Sequence, residues 1–400
     1  MAHAIRITEF GGIEKMQWTE VDVGEPGAGE VRVRNTAIGL NFIDTYHRTG
    51  LYPNQLPLTL GMEGAGVVEK VGPKVKDFKV GDRVAYANPI GAYQDVLLRP
   101  AERLVKIPAG VDDKVAAWIM LKGMTAWYLC KRTYKVKKGD TIVVHAAAGG
   151  VGQILCQWAK ALGATVIGTV GSDSKVAIAK KCGCKHVIVL SRENLVARVK
   201  EITKGKGVPV VYDGIGKDTW DASLDCLSPR GMMVSFGNAS GPVTQINPGI
   251  LAAKGSLFLT RPTLIHYVAQ RAELVAAARD LFSVVKRKAV RIAINQTYPL
   301  AEAALARPKP GTVGVAERFE LYACGVELAN GFGELTDGIE QRRRFEAAME
   351  ERVRRYGNDA EYPLDEEFLA ALSLMPRASG VALGDFNLVT ETRLGHQVEV

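Results

Sequence analysis

The run Thr141-Ile-Val-Val-His-Ala-Ala-Ala-Gly-Gly-Val-Gly152 carries the most chemistry in this sequence. Ile142 to Val144 suit a buried parallel strand, and Val151, Leu155, Trp158, Ala159 and Leu162 recur beyond the glycines at helical spacing. A strand that breaks into glycine and then opens a helix reads as a phosphate-binding turn. Glycine lets the backbone approach a pyrophosphate, and the N–H groups at the helix start face the anion. Ala148, Gly149, Gly150, Val151 and Gly152 are the candidate contacts. The spacing Ala146-x-x-Gly149-x-x-Gly152 departs from Gly-x-Gly-x-x-Gly, so the turn alone is a weak match.

The next apolar run ends Ile167-Gly-Thr-Val-Gly-Ser-Asp-Ser-Lys175. An acidic residue about 20 positions beyond the glycines usually binds the ribose 2′-hydroxyl, and its absence leaves room for a 2′-phosphate. Gly171 and Ser172 occupy that place, with Lys175 one turn on. A hydroxyl, loop amides and an ammonium suit a phosphate dianion, which favours NADPH over NADH. Asp173 argues the other way, and a second reading makes Ser172-Asp-Ser174 a helix cap and Lys175 a solvated charge.

Metal chemistry has little support in the residue types. The histidines at 3, 47, 145, 186, 266 and 396 form no spaced pair. The cysteines at 130, 156, 182, 184, 226 and 324 are scattered, and Cys182-Gly-Cys184 is too close-set for a usual metal or redox pair. The expectation is no metal and a reducing, cytoplasmic setting. No secretory signal is visible at Met1-Ala-His-Ala-Ile-Arg6, and no apolar run is long enough for a membrane span.

The elements that must position these residues emerge from hydrophobic patterning. From Val31 to about Ile107, short strands alternate with Gly and Pro, as in Val31-Arg-Val-Arg34 and Asp82-Arg-Val-Ala-Tyr86, which indicates a β-rich, barrel-like unit. A helical stretch from Val115 leads into the glycine turn. Apolar β runs at 141–145, 165–169, 186–190, 208–212, 232–236 and 256–260 then alternate with helical segments, the pattern of a doubly wound parallel sheet. Its ligand site lies outside the carboxyl ends of the strands.

Charge divides the 400 residues in two. Residues 1–310 hold 42 Lys+Arg against 26 Asp+Glu; residues 311–400 hold 9, all arginine, against 17. Lysine stops at Lys309, beside Pro308, Pro310 and Gly311, so a boundary is expected there. The basic excess before it suits an anionic cofactor, and no aromatic-studded basic patch points to nucleic acid.

Several blocks in order carry a family resemblance: Ile38-Gly-Leu-Asn-Phe-Ile-Asp-Thr-Tyr46, Gly61-Met-Glu-Gly-Ala-Gly-Val67, Val80-Gly-Asp-Arg-Val84, His145 to Gly152, Val211-Tyr-Asp213, Val234-Ser-Phe-Gly-Asn238 and Thr260-Arg-Pro262. By these, residues 1–306 resemble the bacterial NADPH:quinone oxidoreductases, a zinc-free branch of the medium-chain dehydrogenases/reductases. The resemblance implies an α/β chain with a GroES-like β-barrel catalytic domain (1–120, with a return over 259–310) around a Rossmann NADPH-binding domain (121–258). It also implies a homodimer.

By the same resemblance Asn41 and Tyr46 line the nicotinamide and quinone cleft. Ser172 and Lys175 match 2′-phosphate positions, Phe236 and Asn238 the loop at the nicotinamide side, and Gly214 the end of the fourth strand. A tyrosine common after the third strand is replaced near Leu190-Ser191, and Arg192 stands beside it as a substitute contact. Zinc-dependent relatives place a cysteine in the region of Asn41 and a histidine where Met62 stands. The implied reaction is metal-free hydride transfer to a quinone or electron-poor enone. A quinone suits this because it becomes a weakly basic aromatic phenolate, for which orienting donors such as Tyr46 and Asn41 suffice. Asn41 also suits an α-helix cap, and Tyr46 a packing position.

Residues 317–384 resemble the C-terminal part of the class II lysyl-tRNA synthetase-like ligase of elongation factor P. Glu327, Asn330 and Glu334 match positions that touch amino acid or metal-bound ATP in that family, and Gly380 to Gly384 match the start of its third motif. Where that family continues with Asp-Arg, this chain reads Asp385-Phe-Asn387, without the arginine that grips ATP. The segment 311–400 is therefore expected to be an incomplete α+β fragment without function, such as a gene fusion leaves, its strand edges unpaired. A ligase-like fusion and an NADPH-binding protein with little turnover are the alternative functions. A helix is expected over 340–356, and Gly311-Thr-Val-Gly-Val315 imitates the reductase family's final strand.

Overall fold

The computed structural model describes residues 2–302 and the backbone of five later strands, Arg318–Ala323, Val326–Gly333, Ser379–Ala382, Val389–Arg393 and His396–Glu399. The chain forms two compact units, residues 1–305 with 323–326, and residues 306–322 with 327–400.

The first unit begins with β1 (Ala2–Ile7) and β2 (Gln17–Val21), which the patterning did not mark, and continues with the expected short strands β3 (Glu30–Gly39), β4 (Leu58–Thr59), β5 (Glu63–Val71), β6 (Arg83–Ala87), β7 (Val96–Pro100) and β8 (Val105–Lys106). They form an antiparallel sheet in the order β7-β3-β5-β6-β8 and a smaller one in the order β2-β1-β4. Period-two patterning sets the faces: Val31 and Val33 enter the core with Val68, Val84 and Leu97, while Arg32 and Arg34 reach Glu69 on the outside. Two helices matter for the site. Helix α1 (Phe42–Thr49) follows β3 and ends at Gly50 in the left-handed conformation (φ 79°). Helix α2 (Asp113–Tyr128), capped by Asp112 on the Lys114 N–H at 2.8 Å, is apolar nearly all round, as a helix buried on every side must be.

The nucleotide half comes next as β9 (Thr141–Val144), β10 (Thr165–Val170), β11 (His186–Val189), β12 (Val208–Asp213), β13 (Leu227–Ser235) and β14 (Phe258–Thr260). All six expected runs become parallel strands, in the order β11-β10-β9-β12-β13-β14. The order reverses between β9 and β12, which opens a crevice at their carboxyl ends. Helix α3 (Gly150–Ala161) joins β9 to β10 and carries the expected core residues Leu155, Trp158 and Ala159. Helix Arg271–Lys286 then packs Leu274, Ala277, Ala278 and Leu281 into the shared core against α2. At Gly123 of α2, a Cβ would stand 2.5 Å from the Leu281 side chain, so the two helices meet there because residue 123 has none.

In the second unit the five later strands, β15 to β19 in chain order, form one sheet in sequential order, antiparallel from β16 to β19. These strands pair with one another, because backbone N–H and C=O groups take whatever partner the chain supplies, and β15 and β19 remain edges. The strand expected at 311–315 and the helix at 340–356 lie outside the described residues.

Under the carboxyl ends of the nucleotide strands lies a buried polar network. His145 Nε2 and Ser223 Oγ are 2.9 Å apart, as are His145 Nδ1 and Thr169 Oγ1. The Ser223 and Thr219 hydroxyls donate to Asp213 Oδ2 at 2.9 and 2.7 Å, while Asp213 Oδ1 accepts the Ile215 and Gly216 N–H groups. Because Ser223 donates to Asp213, His145 must carry its proton on Nε2 and accept from Thr169 on Nδ1. The network ties β9, β10 and β12 together, and it makes His145 a satisfied core residue.

Burial lowers the His145 pKa, so the folded state holds it neutral. Its contribution to stability is complete above the free-histidine pKa of about 6.5 and is lost as pH falls below it, because the unfolded chain takes up a proton that the folded chain refuses. His47 and His186 shift the same way, whereas Asp44, pushed up to about 7, favours folding as pH falls. The difference between variants isolates His145. Urea unfolding of His145→Gln is expected to show lower stability at neutral pH and a smaller loss on acidification to about pH 5.5 than wild type; parallel curves would remove His145 as the source.

Candidate active site

The glycine turn is built as its residues require. Ala146 adopts φ 48°, and Gly149 precedes α3 in an extended conformation with no side-chain cap on the helix. Gly152 admits no substitute: a Cβ there would lie 2.2 Å from the Ala146 carbonyl oxygen. The turn is held below by Ala147 N–H to Thr169 O at 2.9 Å and His145 N–H to Tyr212 O at 3.0 Å. The first-turn N–H groups of Gly150, Val151 and Gly152 thus begin a helix whose N-terminus is free of side-chain caps, a fitting cradle for a pyrophosphate.

At the end of β10, a Cβ on Gly171 would meet open space. Ser172 and Lys175 stand on the short turn beyond it, with the Ser172 and Ser174 hydroxyls 2.8 Å apart. Asp173, the carboxylate that opposed a 2′-phosphate, is paired with Arg192 at 2.8 Å. Arg192 comes after β11, the neighbour of β10 in the sheet, so pairing of adjacent strands brings it to the same rim. The carboxylate's charge is balanced there, which leaves the rim suited to a phosphate.

On the other side of the crevice, α1 meets the loop after β13. The Asn238 N–H donates to Tyr46 Oη at 3.0 Å, and the Asn238 amide donates to Tyr52 Oη at 3.3 Å. Arg261 braces the junction by donating to Ser235 Oγ, the Gly237 carbonyl and Tyr52 Oη. Gly214 and Phe236 close it from below: a Cβ on Gly214 would meet the Phe236 ring at 3.0 Å. Burial raises the Tyr46 pKa well above the ordinary phenol value, partly offset by the Asn238 N–H, so Tyr46 stays protonated. Its hydroxyl accepts from Asn238, and its own hydrogen has no acceptor among the described residues.

Asn41 is placed differently from the expectation. Its Nδ2 donates to Glu63 Oε1 at 2.9 Å and to the Gly39 carbonyl at 3.3 Å. Both amide hydrogens point inward, so Asn41 is not available as the donor to substrate that was expected. Its cap role holds: it is the N-cap of α1, and its backbone N–H donates to Asp44 Oδ2 at 2.8 Å. Zinc does not fit here. Met62 and Asn41 are poor ligands, and Glu63 is already paired with the Lys122 ammonium, which would repel a cation. Among the described residues no group of three His, Cys, Asp or Glu side chains can hold a metal.

Sequence reasoning passed over Lys122, Asp44, Tyr52 and the role of Ser223. For Lys122 a signal existed: it is the single charge within Val115-Ala-Ala-Trp-Ile-Met-Leu-Lys-Gly-Met124. A lone cation in a helix apolar on all sides needs a buried partner. Tyr52 and Ser223 carried no such mark, since their partners lie 186 and 78 residues away.

Comparison with known proteins places most of the chain among related sequences and structures. The alcohol dehydrogenase GroES-like domain family matches residues 27–109, and the zinc-binding dehydrogenase family matches residues 150–281. A quinone oxidoreductase of Pseudomonas aeruginosa is 55% identical over 308 residues, covering 76% of this chain and 95% of that protein. A 2-haloacrylate reductase of Burkholderia is 50% identical over 322 residues, covering 78% of this chain and 96% of that one. The crystal structure of Escherichia coli quinone oxidoreductase complexed with NADPH superimposes with a TM-score of 0.75 at 50% identity, covering 76% of this chain and 94% of that one.

The close approach at Gly152 makes a direct prediction. Gly152→Ala forces the turn apart and is expected to lower unfolding stability by about 1–3 kcal/mol. Thermal or urea denaturation reads this, and an unchanged midpoint would show that the turn yields without cost.

Proposed function

Because this chain belongs to the quinone oxidoreductase family of the medium-chain dehydrogenases/reductases, we propose that its first 306 residues form an NADPH-dependent reductase of quinones or electron-poor enones that works without metal. The observation that carries the cofactor reading is the pairing of Asp173 with Arg192 beside Ser172 and Lys175, which removes the one feature that opposed a 2′-phosphate. Ala148 to Gly152 would hold the pyrophosphate, Ser172, Lys175 and Arg192 the 2′-phosphate, and Gly214, Phe236 and Asn238 the nicotinamide side. When bound, NADPH supplies the hydride.

The protein's part is orientation and charge placement. Tyr46 offers its hydroxyl hydrogen to an acceptor oxygen while the Asn238 N–H donates to the same Tyr46 oxygen and strengthens it as a donor. A hydroquinone oxygen is a weak base compared with an alkoxide, so a donor of high pKa is adequate and a Lewis acid is not required. Asn41 holds α1, which carries Tyr46, rather than touching the acceptor. The likeness to a 2-haloacrylate reductase supports an electron-poor alkene as a second acceptor class, for which the same donor would face the conjugated oxygen.

A homodimer is part of the proposal: β14 is a three-residue edge strand with Phe258 58% exposed, a surface that pairing of two sheets would cover. The proposed domains are 1–120 with 259–310, and 121–258. A cytoplasmic setting fits the free, buried Cys130, Cys156, Cys182, Cys184 and Cys226, and no helix among the described residues is long and apolar enough to cross a membrane. No nucleic-acid partner is proposed. The likeness of residues 317–384 to the elongation factor P ligase rests on sequence alone; without the ATP-gripping arginine we assign that segment no reaction.

Loss of absorbance at 340 nm with 1,4-benzoquinone is expected to be faster with NADPH than with NADH, without added metal. NADPH binding without any turnover would instead make the chain a cofactor-binding protein. Lys175→Ala and Arg192→Ala are each expected to raise the KM for NADPH about tenfold while leaving that for NADH unchanged. Tyr46→Phe is expected to lower kcat about tenfold, the worth of one oriented hydrogen bond. Equal losses with both cofactors would sink the 2′-phosphate assignment.

A further inference from the structure

Behind the proposed cleft lies an ion pair that no step of the reaction touches. Lys122 of α2 and Glu63 of β5 are 1% and 0% exposed, and Lys122 Nζ donates to Glu63 Oε1. Burying such a pair is expensive unless every lone pair is met, and here the carboxylate collects three donors. Besides Lys122 these are Asn41 Nδ2 at 2.9 Å and, from within α2, the Leu121 N–H at 2.5 Å. Lys122 also lies over the Trp118 ring at 5.0 Å. The backbone is shaped around the pair: a Cβ on Gly39, opposite Glu63 in the sheet, would stand 2.3 Å from its Oε1 and 2.6 Å from the Ala117 carbonyl oxygen.

The charge on Glu63 decides how Asn41 is turned. Burial pushes the Glu63 pKa up and Lys122 works against it, and the geometry is that of an ionised carboxylate, with Oε1 accepting from Lys122 and Asn41 and Oε2 from the Leu121 N–H. An ionised carboxylate only accepts hydrogen bonds, so it selects one orientation of the Asn41 amide, with Nδ2 toward Glu63 and Oδ1 away. Asn41 is the N-cap of α1, and its N–H and the Tyr93 hydroxyl both donate to Asp44 Oδ2 at 2.8 Å. The first turn of α1 is therefore fixed from below, and Tyr46 projects from the next turn to meet Asn238.

We propose that Lys122 and Glu63 are positioning residues for reduction: through the Asn41 amide the buried pair sets the first turn of α1 and hence the aim of the Tyr46 hydroxyl. This inference rests on the reductase reading, with Tyr46 as the orienting donor. It separates two jobs in one barrel wall. Tyr46 meets substrate, and the pair, sealed from it, holds Tyr46 in place.

The test uses the full chain. Lys122→Met alone leaves a buried carboxylate without its cation, so the double variant E63Q/K122M, neutral and similar in volume, is read beside it. With NADPH and 1,4-benzoquinone, the double variant is expected to lose about tenfold or more in kcat, since small misplacements of an orienting group have effects of that size. NADPH affinity, read by cofactor fluorescence, is expected to stay within about twofold, because the phosphate turn belongs to β9 and α3. Asn41→Ala is expected to lose kcat similarly, and the triple variant to be no worse than Asn41→Ala, since residues acting in one chain are not additive. A folded double variant with wild-type kcat, or losses that multiply in the triple variant, would overturn the proposal. Wild-type protein inert toward every acceptor would instead overturn the reductase reading and the inference with it.

Discussion

Helix α2 is the constraint from which the first unit is built. Its residues are buried on nearly every side because three bodies pack on it at once: the barrel through β3, β5 and β6, the nucleotide half through α3, and helix Arg271–Lys286. A helix apolar all round cannot be stable at a surface, so its composition demands this arrangement. The Trp127 Nε1–H bond to Asp280 at 3.1 Å and the Arg103 bond to the Val268 carbonyl at 3.1 Å then tie the returning chain to the barrel and to α2. The catalytic and nucleotide halves thereby share one hydrophobic cluster, in which Ala65 and Ala85 of the barrel appear with Val144, Val166 and Leu281.

The polar interior obeys a single rule at two depths. Behind the barrel wall, Lys122, Glu63 and Asn41 satisfy one another; beneath the nucleotide strands, His145, Thr169, Ser223, Thr219 and Asp213 do the same. In a low-dielectric interior an unmet donor or acceptor costs about 1–3 kcal/mol, so each network is specified nearly in full or not at all. Asp44 is an exception: its Oδ1 has no partner, and burial lifts its pKa to about 7. It shares helix α1 with Tyr46, and its Oδ2 accepts from the Asn41 N–H and the Tyr93 hydroxyl.

Much of the fold is legible in the sequence. The six β runs, the glycine turn and the segment over 31–107 are readable because strand and helix periodicities are local. Ser172 and Lys175 are readable because they come after a strand end at a fixed distance. Arg192 is identified by its position after the third strand, but its neutralising bond to Asp173 is not, since strand pairing brings it there from 19 residues away. Asn41 shows the limit most clearly: its type suits both a cap and a donor, and only its partners Glu63 and Gly39 decide for the cap.

The order of amino acids by itself determined which segments extend or coil, where glycine must stand, and where lysine usage ends at Lys309. Those depend on neighbours within a few residues. Tertiary structure alone decided that Lys122 meets Glu63, that Tyr46 meets Asn238, and that the strands after residue 317 pair with one another. Such contacts join residues 59 and 192 positions apart. They depend on loop closure and packing volume, quantities that no local spacing encodes.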